Sequence, residues 1–170
     1  MRLFIAINCN DLKDYFGDLQ RQFVPSDARF LSSFHLTLFF LGNVSSRQLT
    51  KILTLLETFD SNQFQLEFSH LGTFTIRRKR DIFWIGVSET TSVVTLYNQL
   101  CREFHKLGFS SPRRFIPHVT IARRKKSRSN KKNHVLQAKQ KMVPQKKFLV
   151  DSFSLIESVP SDNGMSYRVI

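Results

Sequence analysis

The chain opens on a short apolar run at residues 2–8, RLFIAIN, and its closure by the turn former Asn8 predicts a buried strand. Leu12, Phe16, Leu19 and Phe23 then recur at spacings of three and four, which predicts a helix capped by Asn10 or Asp11 and stopped at Pro25. FHLTLFFLG at 34–42 reads as a strand closed by Gly42. SSRQLTKILTLLETF at 45–59 reads as an amphipathic helix with Leu49, Ile52, Leu53 and Leu56 on one side. FQLEF and LGTFTI predict two adjacent strands, and IFWIGV at 82–87 a third.

From there the order repeats. A helix is predicted over about 90–107, with Val93, Leu96, Leu100, Phe104 and Leu107 at helical spacing, and it leads through Gly108 to the strand PHVTIAR. Strand, helix and strand therefore occur twice, with Ile5 and Ile85 lying 30 and 33 residues before His35 and His118. An approximate twofold axis relating the halves would set the two later strands face to face across a groove. FLVDSFSLIES and MSYRV predict two closing strands, with a turn at SDNG.

The two later strands carry the informative chemistry. Residues i and i+2 of a strand share a face, so His35 and Thr37 point together while Leu36 and Leu38 point away. The arrangement returns 83 residues later in His118 and Thr120, with Val119 and Ile121 facing away. A lone histidine in an apolar strand is more often structural than catalytic, and threonine is an ordinary strand residue. A duplicate with the same partner and neighbours at the matching place in each half points to function. His70, His105 and His134 have no such partner and are read as surface, core-edge and loop residues.

Composition narrows the setting. At 170 residues and 41% hydrophobic the chain can bury a sizeable core, and most of its seventeen phenylalanines are expected in packing. Cys9 and Cys101 are too few and too isolated for a disulfide framework, and the opening segment suits neither a signal peptide nor a membrane span, so a soluble cytoplasmic protein is expected. The net charge of +13 is uneven: Arg123 to Lys147 holds eleven Lys and Arg and no acid. That stretch, without apolar periodicity, is read as a long basic loop at about 124–147, serving either as a solvated segment or as a nucleic-acid contact. RRKR at 77–80, at an expected hairpin tip, points the same way.

Two imidazoles and two hydroxyls converging on one cavity suit a phosphodiester. A neutral histidine can take a proton from water while a protonated one gives a proton to the leaving oxygen. Thr37 and Thr120 would donate hydrogen bonds to the non-bridging oxygens. A metal site is not expected, because neither motif has Cys, Asp or Glu at ligand spacing. A Ser-His-Asp hydrolase lacks its G-x-S-x-G turn.

FHLTLFFLG and FIPHVTIAR resemble the two signature motifs of the 2H phosphoesterase family, and RLFIAI with FSLIES is similar to its RNA 2',3'-cyclic phosphodiesterase branch, also described as 2'-5' RNA ligases. The resemblance covers nearly the whole chain. It implies an α+β fold of two pseudo-symmetric lobes within one domain, each an antiparallel sheet flanked by helices, with the active site in the groove between them. It also implies metal-free chemistry without a cofactor, opening a terminal cyclic phosphate to a 2'-phosphate. By position, His35 would be the acid to the leaving 3'-oxygen and His118 the base that activates water. Thr37 and Thr120 would bind phosphate, Arg123 would lie near the substrate, and Phe40 would stack on a base. The expected partner is RNA with a cyclic phosphate end, tRNA fragments among the candidates, bound by a monomer. Sealing or cleaving 2'-5' linkages at the same site, or RNA binding without catalysis, are the alternatives.

Overall fold

The computed structural model describes residues 1–76, 80–111, 114–125, 141–161 and 164–170. Strand β1 (Arg2–Asn8) has five consecutive buried residues, and a single turn of 3₁₀ helix at Asn10–Leu12 links it to α1 (Lys13–Phe23). The expected side-chain cap on α1 is absent. Asn10 Oδ1 instead accepts the Phe34 amide at 2.8 Å and so fixes the entry to the first motif strand. Then follow β2 (Arg29–Phe30), β3 (His35–Asn43), α2 (Ser46–Glu57), β4 (Phe64–Ile76), β5 (Arg80–Val87), α3 (Thr91–Lys106), β6 (His118–Lys125), β7 (Lys141–Val150), β8 (Ser154–Ser161) and β9 (Gly164–Val169).

The strands form one antiparallel sheet ordered β7-β4-β5-β6-β3-β1-β8-β9, with β2 added beside β6. The α+β expectation holds, and the order is symmetric about its centre: β6 answers to β3, β5 to β1, β4 to β8 and β7 to β9. Strands β3 and β6 pair with each other at Leu36 with Val119, and β2 adds Arg29 with Arg123 and Phe30 with Ala122 beside them. The motif strands therefore lie side by side at the middle of the sheet, with their histidines on a common face, and do not confront each other across a gap.

Helices cross this seam. The ring of Phe16 on α1 meets Phe68 of β4 edge-on at 5.2 Å, and Phe104 on α3 stacks on Phe39 of β3 at 5.0 Å. Each helix thus packs on a strand of the opposite half, and the continuous apolar core compensates for the sparse backbone pairing. On α2, a capping box of Ser45 and Gln48 starts the helix; Ile52 is buried, whereas Leu53 is 37% exposed and not on the packed side as expected.

Three boundaries differ from the sequence reading. FQLEF and LGTFTI belong to one long strand, β4, because an irregularity at Ser69 absorbs the change of phase between Phe68 and His70. Both ends of the expected basic loop are strand: Arg124 and Lys125 continue β6, and 141–147 belongs to β7, an edge strand paired to β4. Its alternation is hidden because only Val143 and Val150 are buried and Pro144 interrupts the run, a residue that edge strands tolerate. FLV at 148–150 ends β7 and is separate from β8. Residues 126–140, with His134, and 77–79 of the RRKR cluster lie outside the described residues. No helix among the described residues is long and apolar enough to cross a membrane.

Candidate active site

The antiparallel pairing of Leu36 with Val119 sets the site. Stepping one residue each way brings His35 beside Thr120 and Thr37 beside His118, on the face opposite the core. Each imidazole therefore neighbours the hydroxyl of the other motif.

Both motif strands then depart from regular alternation at the same place. On β3, Thr37 pairs with Ala6 and Phe39 with Ile5, leaving Leu38 as an extra residue. On β6, Thr120 pairs with Trp84 and Ala122 with Phe83, leaving Ile121 extra. In each strand two consecutive residues are buried, Leu38 with Phe39 and Ile121 with Ala122. These bulges re-phase the side chains, so that Phe40 and Arg123, five residues after their histidines, return to the groove face. Without a bulge an odd spacing would send both to the core side.

The bulge on β6 is held from behind. Gln20, 5% exposed on α1, donates from Nε2 to the carbonyls of Ile121 and Leu31, both at 2.7 Å. The Ile121 carbonyl also accepts the Leu31 amide at 2.9 Å, so the buried amide of Gln20 fastens β2 to the bulge. Replacing Gln20 with Leu removes a donor from each of these two carbonyls, and a loss of about 1–3 kcal/mol in unfolding free energy is expected by chemical denaturation. An unchanged midpoint would contradict this role.

His35 packs between Phe4 (5.1 Å) and Tyr167 (4.7 Å, edge-on), and Phe4 also meets Phe40 at 5.9 Å. His118 packs between Phe74 (5.1 Å) and Trp84 (5.6 Å), which stack on each other at 4.8 Å. Trp84 can lie flat across β4 only because residue 72 is glycine: a Cβ there would stand 2.1 Å from its ring. Tyr167, Trp84 and Phe74 carry no local signature in the sequence, and the fold alone brings them to the histidines. Phe40 is 60% exposed at one end of the face, open to stacking.

His70 also faces the groove, contrary to its reading as a plain surface residue. Gly86 is the register partner of both His70 and His118, and the His70 ring reaches over it, with its Nδ1 3.0 Å from Ser69 Oγ. His105, expected at the core edge, is an exposed helix residue near Ser111.

The electrostatics separate the two central histidines. His118 Nδ1 donates to the Ile116 carbonyl at 2.6 Å, which leaves Nε2 as the lone pair of the neutral ring. Burial lowers its basicity, and this hydrogen bond partly restores it. His35 is pushed down to about 4, first by burial and then by the positive charges of Arg123 and His118. Both shifts favour the neutral imidazole. His35 Nδ1, Trp84 Nε1 and Arg123 Nε are buried without a partner among the described residues, three polar atoms on one face that a ligand would satisfy. Among the described residues no three His, Cys, Asp or Glu side chains gather as a metal site.

This shift has a consequence for stability. The unfolded chain protonates His35 near its ordinary value of 6.5, the folded one near 4, so between those values the unfolded state binds more protons and stability falls as pH falls. Thermal unfolding across that window is expected to show a shallower acid-side decline in His35→Gln than in the parent chain. Parallel declines would contradict the shift.

A sheet of two symmetric halves, each giving one His-x-Thr pair to a shared face, is the architecture of a 2H phosphoesterase. The profile of the 2'-5' RNA ligase superfamily matches residues 12–161, and the chain belongs to that family. It is 29% identical over 173 residues to the RNA 2',3'-cyclic phosphodiesterase of Methanocaldococcus jannaschii, covering 100% of this chain and 98% of that one. To the protein of the same name from Thermotoga maritima it is 30% identical over 184 residues, covering 100% and 93%. Among solved structures, E. coli LigT complexed with 3'-AMP shares the fold with a TM-score of 0.79 at 22% identity, over 99% of this chain and 94% of that one.

Proposed function

We propose that the chain is one bilobal enzyme that hydrolyses RNA 2',3'-cyclic phosphate ends to 2'-phosphates by proton transfer between His118 and His35, without a metal. The observation that carries this reading is the crossed placement of two His-x-Thr pairs on one face at the seam. Full-length relatives named RNA 2',3'-cyclic phosphodiesterase support the substrate class.

In this reading Thr37 and Thr120 donate to the non-bridging oxygens of the cyclic phosphate, and Arg123 balances its charge. His118 Nε2 takes a proton from water as the water oxygen bonds to phosphorus in line with the 3'-oxygen. The bond from phosphorus to the 3'-oxygen breaks, and protonated His35 gives that oxygen its proton, leaving a 3'-hydroxyl and a 2'-phosphate. The arriving phosphate anion raises the basicity of His35, offsetting the burial and the cations that depress it.

The test is incubation with three RNAs: a short oligonucleotide ending in a cyclic phosphate, one with an internal 2'-5' linkage, and one with a plain 3'-hydroxyl end. Turnover of the first alone is expected. Cleavage confined to the 2'-5' linkage would move the function there, and salt-sensitive binding of all three without turnover would make the chain a binding module.

A further inference from the structure

Beside the histidines a cavity of 430 Å³ opens between β2, β5, β6 and β9, bounded on the active-site side by Arg123 and Tyr167. Its walls are unusually cationic. In the sheet register Arg29 stands opposite Arg123, and Arg80 opposite Lys125. Counting in twos from Arg123 and its partner Ile82, the positions of Lys125 and Arg80 share the groove face, so Arg80 and Lys125 lie there as a directly opposed like-charged pair, with Arg123 and Arg29 alongside. Such pairs are destabilising on their own. On the other face Arg124 is matched: it bonds the fully buried Asp81 at 2.9 Å and reaches Asp27 at 3.5 Å, the one carboxylate among the described residues that line the cavity.

The fold thus matches Arg124 with acids on one face and sets Arg80 against Lys125 on the face that continues the active site. An anion in the cavity would reverse the repulsion, and Arg123 already presents a buried Nε without a partner. Phe30, 39% exposed on the cavity wall, offers a ring on which a base can stack.

We propose that this cavity binds the 5'-phosphate of the terminal nucleotide, so that the chain selects a cyclic end preceded by a phosphate over a bare nucleoside cyclic phosphate. The proposal rests on the function proposed above for the chemistry, and on the cavity alone for the selectivity. Because β3 and β6 run antiparallel, Arg123 and Phe40 lie toward opposite ends of the groove. The phosphate of the preceding linkage would enter at the Arg123 end, and the Phe40 end would remain for the terminal base.

The test separates binding from turnover. Adenosine 2',5'-bisphosphate and adenosine 2'-phosphate are titrated against the parent chain and the double variant Arg80→Gln/Lys125→Gln, with fluorescence of Trp84, the single tryptophan, as the signal and calorimetry as a check. The bisphosphate is expected to bind about tenfold tighter to the parent chain, the size of one added charge-assisted contact, and about equally in the variant. In parallel, kcat/KM on adenosine 2',3'-cyclic phosphate is expected to stay unchanged in the variant, while the advantage conferred by a 5'-phosphate disappears. Equal affinity for the two nucleotides in the parent chain, or a preference that survives in the variant, would overturn the cavity's role even if turnover is found. Absent turnover with an intact, variant-sensitive preference would overturn the proposed hydrolysis and leave the anion site standing.

Discussion

His118→Ala is expected to lower kcat on an RNA 2',3'-cyclic phosphate end by about 10²–10⁴-fold, the usual contribution of a positioned proton-transfer group, with the unfolding midpoint little changed. The imidazole lies on the groove face between Phe74 and Trp84, outside the main core, so its removal takes away the base without opening the interior. His35→Ala should fall as far, because a proton taken from water at one ring must be matched by one delivered at the other. The two act as a unit, so the double variant should lose little beyond either single one. Near-parent turnover in either single variant would remove that histidine from the chemistry.

Gly72→Ala is expected to be the most damaging small substitution on the groove face. The added methyl would stand 2.1, 2.3 and 2.5 Å from three atoms of the Trp84 ring, well inside any tolerable contact. The indole must leave its place across β4, giving up its stack on Phe74 at 4.8 Å and its contact with His118 at 5.6 Å. A stability loss of about 1–3 kcal/mol is expected from this overpacking. Because Trp84 is the single tryptophan, its displacement should also shift the emission of the folded chain, and turnover should fall as the wall beside His118 is lost. An unchanged emission spectrum with parent stability would show that the indole is not held across residue 72.

The His-x-Thr pairs were legible in the sequence because a strand's period of two is strict, and two polar residues two apart in an apolar run can be assigned to one face without a structure. Phe40 and Arg123 resisted the same rule. Their odd spacing from the histidines places them on the groove face only through the bulges at Leu38 and Ile121, and a bulge leaves no mark in the alternation except two consecutive buried residues. Resemblance to a family pointed to these positions where periodicity could not.

Trp84, Tyr167 and His70 were missed for a different reason. Trp84 looked like one more apolar residue of a central strand, and Tyr167 belongs to β9, three places from β3 in the sheet order. Only the pairing of β8 with β1 and β9 carries that ring to His35. The charge of 141–147 concealed an edge strand, because lysines on the solvent side of an edge leave few apolar positions to reveal the pattern. Conversely, the opposed pairs Arg29 with Arg123 and Arg80 with Lys125 exist only in the folded sheet, since strands distant in sequence set the register.

In the proposed reaction two histidines at the seam open a cyclic phosphate by proton transfer alone. Its most direct test is hydrolysis of a short RNA ending in a 2',3'-cyclic phosphate in excess EDTA, with the terminal 2'- and 3'-phosphates resolved. A 2'-phosphate formed at an undiminished rate is expected. A 3'-phosphate product, or turnover that vanishes with the chelator, would contradict it.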